Sequence, residues 1–239
     1  LRAVDEQLMK PEPSAIPPAE QERIRASLRQ ALSRLPAGEV PPWELVFRAS
    51  RIGPNALALP GGTIVMTDEM VQLVDSNTDV LTAVLAHEMG HLQHRHGMRM
   101  VVEQGVLNMG LGLALGDVSG VVSSGATLLT SRAYSRSHER EADCYAIALM
   151  RQASLPTAPM GQLLLAIAHD EEDEARKPKG TKPAESTAPA AEPASAPKAK
   201  DKAATPRESS PVWSLLASHP DTVQRATELQ QGHAPHCAR

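Results

Sequence analysis

The amino-acid sequence predicts an α+β fold, mainly helical, with a small antiparallel sheet of three to four strands. Apolar residues recur at helical spacing over Glu20 to Leu35, Thr78 to His96 and Ala133 to Gln152. Short apolar runs at Leu45-Val46-Phe47, Asn55 to Leu59 and Thr63 to Met66 are bounded by proline and glycine, the punctuation of strands and hairpins. Aromatic residues make up only 2% of the chain, so Leu, Val, Ala, Ile and Met must fill the core.

In chain order, residues 1–19 form an extended, proline-punctuated N-terminal segment, and residues 20–170 the main domain. The first helix presents Ile24, Leu28, Leu32 and Leu35 on one face and arginines on the other. Such a basic amphipathic helix either packs on its own domain or touches a membrane surface. Pro60-Gly61-Gly62 joins two of the strands, and a short helix follows from about Asp68 to Val74. Asp75-Ser76-Asn77 then turns the chain and offers caps to the next helix. That helix carries Val80, Leu81, Val84, Leu85, Met89 and Leu92 as a buried stripe, with Gly97 as its expected stop.

The uncharged runs Gln104 to Gly116 and Val118 to Ser131 read as two buried helices or one bent helix, with a membrane-facing hairpin as the alternative. No purely apolar run reaches the ~18 residues of a membrane span. Helices fit Ala133 to Gln152 and Pro159 to about Asp173. Residues 171–210 collapse to Ala, Pro, Lys, Glu, Ser and Thr without apolar period, the composition of a disordered insert. A folded pattern resumes over 211–232, before a tail at 233–239. The sequence starts at Leu1 rather than Met, and is expected to be a processed or trimmed chain.

A net charge of −4 and the lack of stacking aromatics exclude nucleic acid as an expected partner. Cys144 and Cys237 have no C-x-x-C spacing; they form one disulfide in an oxidising compartment or remain two thiols.

The chemistry concentrates at His87-Glu88-Met89-Gly90-His91. Residues four apart on a helix lie one turn apart on the same face, so two imidazoles converge on one point. Zn²⁺ accepts such a pair at about 2.0–2.1 Å. Glu88, offset by one residue, flanks the metal and is placed to take a proton from water and return it to a leaving amine. A catalytic zinc needs a third protein ligand. His94 is about 10 Å further along a straight helix, too far to close a tetrahedron. A thiolate from Cys144 or Cys237 has no supporting pattern. The best candidate is Glu139, with Asp143 one helical turn on, where it can accept a hydrogen bond from a ligand imidazole. Glu141 and Arg140 read as solvated, and His96 and Arg95 as structural.

Four blocks in order carry a family resemblance: Asn55 to Gly62, Leu85 to His91, Ser135 to Asp143, and Ser218-His219-Pro220. The chain resembles the gluzincin zinc metallopeptidases of the HtpX and CAAX prenyl protease type, in particular their soluble bacterial-envelope, BepA-like branch. The resemblance implies a zincin-like domain holding one Zn²⁺ per chain. His87, His91 and Glu139 would be its ligands, Glu88 the general base and Asp143 the support of a ligand. It implies that Asn55, Ala56, Leu57, Ala58 and Leu59 form an edge strand on which extended substrate pairs through main-chain bonds. His219 would lie near the metal, as oxyanion donor or as a cap that holds the enzyme latent; the alternative is that His219-Pro220 only opens the last helix. Arg225 is a weaker candidate for a charge near the cleft. Leu57 stands where relatives often carry an aromatic. The expected activity is endoproteolysis of unfolded or misassembled envelope proteins. Outer-membrane assembly components are expected partners, in the periplasm or cell envelope, with peripheral membrane association as a further expectation. The rival expectation is a latent zinc protein with chaperone-like client binding and little proteolysis.

Overall fold

The computed structural model describes residues 8–36, 38–103, 134–176, 219, 222–232, 234, 236 and 237. The elements run β1 (Met9–Pro13), α1 (Pro18–Leu32), β2 (Glu44–Ser50), β3 (Ala56–Ala58), β4 (Thr63–Thr67), α2 (Asp68–Leu73), α3 (Thr78–Gln93), α4 (Arg136–Gln152), α5 (Ala158–Arg176) and α6 (Thr222–Gln231). Thus α5 continues through the first residues expected to belong to the insert. The expected helices at 104–131, the rest of the insert and the folded pattern at 211–216 lie outside the described residues. No helix among the described residues is long and apolar enough to cross a membrane.

The fold is α+β, but its four-stranded sheet is mixed rather than antiparallel, with order β1-β2-β4-β3. β2 and β4 run parallel, Leu45 beside Ile64 and Phe47 beside Met66, whereas β1–β2 and β3–β4 are antiparallel. The reason is geometric. The chain reverses after β2 and again at Pro60 to Gly62, and β3 is laid on the outside. β4 therefore reaches β2 after two reversals, pointing the same way. Pro11 and Pro13 are tolerated in β1 because it is an edge strand.

Alternation along the strands divides the core. Leu45, Phe47, Ile64 and Met66 face the helices and join the main cluster with Ile24, Leu28, Leu81 and Leu85. Leu57, Leu59, Val65 and Met9 form a smaller cluster. The apolar face of α1 is spent in the main core, where Ser27 Oγ also meets Thr82 Oγ1 at 2.7 Å on α3.

Asn77 caps α3, its side chain accepting from the N–H groups of Asp79 and Val80. The expected stop at Gly97 is wrong. Helix α3 ends at Gln93, because Arg95 adopts a left-handed conformation (φ 54°), and the chain is helical again from residue 96 to 103. Gly90 sets the approach of α4: a Cβ there would lie 2.7 Å from Ala142 Cα, closer than real contacts allow. The two helices touch at their backbones, which carries the first turns of α4 onto the face of α3 that bears the histidines. Cys144 and Cys237 form a disulfide that ties α4 to the chain beyond α6.

Candidate metal centre

Seven buried polar side chains meet between α3, α4 and α6: His87, Glu88 and His91 from α3, Glu139 and Asp143 from α4, His219, and Arg225 from α6. The separations among four of them have the size of a metal polyhedron. His87 Nε2 is 3.0 Å from His91 Nε2 and 3.3 Å from His219 Nδ1. Glu139 Oε2 lies 3.4 Å from His87 Nε2 and 3.1 Å from His219 Nδ1, and Glu139 Oε1 3.4 Å from His91 Nε2. A tetrahedron with bonds of 2.0–2.1 Å has edges of about 3.3–3.4 Å, so these donors fit zinc in number, chemistry and spacing. Glu88 also falls within the cluster of groups able to hold a metal. Its contact, however, is with the far nitrogen of His219, Nε2, at 3.5 Å. Glu139 is the carboxylate that touches both α3 imidazoles.

Each α3 imidazole is held from behind at its other nitrogen. His87 Nδ1 is 2.9 Å from Asp143 Oδ1. Asp143 is gripped in turn by the Arg225 fork, Nε to Oδ2 at 2.6 Å and Nη2 to Oδ1 at 2.8 Å. Arg225 Nη1 also reaches Glu139 Oε2 at 2.6 Å, so one guanidinium fixes both α4 carboxylates. His91 Nδ1 lies 2.9 Å from His96 Nδ1, and His96 Nε2 lies 3.0 Å from Glu141 Oε2. Tyr134 stacks on the His91 ring, centroids 3.9 Å apart.

The electrostatics favour a cation between the imidazoles. Burial works against charging His87, yet Asp143 and Glu139 outweigh it and raise its pKa to about 9. Burial would also raise Glu139, but His219 first and then His87 and His91 hold it well below the usual carboxylate range. Burial pushes Glu88 up, opposed by His219 and His87, so it is a carboxylate with an appetite for a proton. Burial lowers His91 despite Glu139, and lowers His96 to about 4 despite its bond to Glu141.

The strand expected to take substrate lies at the sheet edge beside this cluster. Asn55 O and Leu59 N bond toward β4, so the main-chain groups of Ala56 and Ala58 point to the outer edge. Two of these have hydrogen-bond partners within the protein. Ala56 N–H donates to Asn55 Oδ1 (2.8 Å), and Ala58 O accepts from Tyr134 O–H (3.3 Å). The Ala58 backbone also acts on the Glu88 carboxylate, working against the rise in its pKa. Leu57 instead packs with Met9, Leu59 and Val65. A cavity of about 620 Å³ opens next to the strand, lined by Ala58 to Gly62, His91, Leu92, Arg95 and Met98 among others.

The structure therefore brings together His87, Glu88, His91, Glu139, Asp143 and His219, with Ala58 of the strand in contact. Three features were missed in sequence. Arg225 is central rather than peripheral, Glu141 is bonded rather than merely solvated, and Tyr134, just before α4, links His91 of α3 to β3. The H-x₈-H spacing of His87 and His96 was visible but uninterpretable without the break at Arg95.

Comparison with known proteins agrees with this geometry. No curated protein matches the chain. The sequence pattern of peptidase family M48 matches residues 18–232, which takes in both α1 and α6 and every side chain of the cluster. The chain belongs to peptidase family M48, and is a metallopeptidase.

Proposed function

We propose that the protein is a zinc endopeptidase with His87, His91 and Glu139 as ligands, Glu88 as general base, and His219 resting at the fourth position. The supporting observation is the set of 3.0–3.4 Å separations among His87 Nε2, His91 Nε2, Glu139 and His219 Nδ1. Zinc bound there would polarise a scissile carbonyl and bring the pKa of a water toward 7. Glu88, its carboxylate raised by burial, takes the proton of the attacking water and delivers it to the leaving amine. Asp143 fixes His87 through Nδ1, and Arg225 keeps Asp143 ionised and holds Glu139 in place. Substrate in extended form pairs with Ala56 and Ala58, displacing Tyr134 and Glu88 from the main chain of Ala58, with side chains entering the cavity at Pro60 to Gly62.

Two observations favour a resting state that cuts little. His219 stands where water must bind, and the outer edge of β3 is bonded to the protein's own side chains. Activity then requires His219 to leave and the edge to open. Substrates are proposed to be unfolded or misassembled proteins of the cell envelope, in keeping with the resemblance and with a disulfide between Cys144 and Cys237. Casein digestion tests the reading. Glu88→Gln should lose about 10²–10⁴-fold in rate with zinc retained. His219→Ala should cut faster than the parent; a fall would instead make His219 an oxyanion donor. Equal digestion by parent and Glu88→Gln would leave the latent, client-binding reading in possession.

A further inference from the structure

We propose that His96 is the positioning residue of His91: it accepts the Nδ1 proton of the ligand imidazole and donates its own Nε2–H to Glu141. The inference rests on His91 being a metal ligand through Nε2.

Two ring nitrogens 2.9 Å apart form a stable contact only when one carries a proton and the other a lone pair. If His91 presents a bare Nε2 to the metal, the neutral ring must carry its proton on Nδ1. His96 Nδ1 is then bare, and its proton sits on Nε2, 3.0 Å from Glu141 Oε2. His91 Nδ1 and both His96 nitrogens then each face a partner of the right kind. The opposite assignment fails twice. It puts the His91 proton on Nε2, the nitrogen the metal would need, and sets a bare His96 Nε2 against a carboxylate.

The backbone is built for this contact. In a continuous helix, residue 96 would be rotated about 140° from residue 91 and face elsewhere. The left-handed Arg95 swings the chain back, and His96 is fully buried. His94, His96 and Glu141 are also close enough to suggest a second metal site. Arg99 Nη1, 3.6 Å from the same Glu141 oxygen, already supplies a cation there, and Glu141 is the partly exposed end of the chain.

The test uses Zn²⁺ alone, in competition with a chromophoric chelator. His96→Leu removes the acceptor and should weaken zinc binding about 10- to 100-fold. His96→Asn keeps an acceptor oxygen near the Nδ1 position and should stay within about threefold of the parent. Long-range ¹H–¹⁵N spectra of the zinc-loaded parent, which need no substitution, should show His96 protonated on Nε2 only. Parent-like binding by His96→Leu, equal loss in His96→Asn and His96→Leu, or a proton on His96 Nδ1 would each overturn the proposal. His91→Ala separates the two layers. If it retains zinc, the metal reading fails. If it loses zinc while His96→Leu does not, only the role of His96 fails.

Discussion

His87 and His91 are the same residue, one turn apart on one helix, and they are held by opposite kinds of structure. Behind His87 stands a buried ion pair, Asp143 with the Arg225 fork, contributed by two other helices. Behind His91 stands another imidazole from five residues on and then a carboxylate that is 43% exposed. The first support is charged, dry and long-range; the second is neutral at its centre, local and open to water at its end. An imidazole needs only an acceptor at Nδ1 to become a good ligand, so either arrangement suffices. They differ in what else depends on them. The His87 support holds α4 and α6 together, while the His91 support is an appendage to the end of α3.

Removing Arg225 tests the difference most severely. Arg225→Ala leaves Asp143 and Glu139 buried without their cation, and should destabilise the protein by about 3–5 kcal/mol in denaturant unfolding. Glu141→Ala, at the end of the other support, should change stability by no more than about 0.5 kcal/mol. Comparable losses in the two variants would erase the distinction.

The pH dependence of the metal-free protein separates the two histidines by sign. His87 has its pKa raised to about 9 in the folded state from 6.5, so its contribution to stability is complete below pH 6.5 and is lost as pH rises through 9. His91 is lowered, so its contribution changes only below pH 6.5 and rises with pH there. Thermal melts after chelation should therefore fall from pH 6.5 to about 9. A flat profile over that window would mean that Asp143 and Glu139 do not act on His87 as described.

Gly90 tests the frame that both supports share. Gly90→Ala pushes a methyl into Ala142 Cα and should cost about 1–3 kcal/mol by overpacking. It should also lower zinc affinity by moving Glu139 away from α3. Parent-like stability and zinc binding in Gly90→Ala would show that the helices can part without disturbing the site.

The sequence was most legible where the chemistry is local. His87, Glu88 and His91 share one turn, and Glu139 and Asp143 another, so helical spacing alone pairs them. Most helices and three of the four strands are also readable, because their apolar periods are strong; β1 is not, since Met9–Pro13 buries only Met9. Strand direction was not. Leu45 to Phe47 and Thr63 to Met66 are alike in pattern whether they pair parallel or antiparallel, and only the placement of β3 outside decides it. Arg225 was underrated because its partner Asp143 is 82 residues away. His96 is hard to place from sequence because a helix running on through residue 96 would turn it away from His91, and nothing in the sequence marks Arg95 as left-handed.

The decisive measurement is the metal content of the purified parent and of Glu139→Ala, with folding verified by circular dichroism. The parent should hold about one zinc per chain, as a tetrahedral site requires, and Glu139→Ala should lose it. Full zinc occupancy in a folded Glu139→Ala would contradict it.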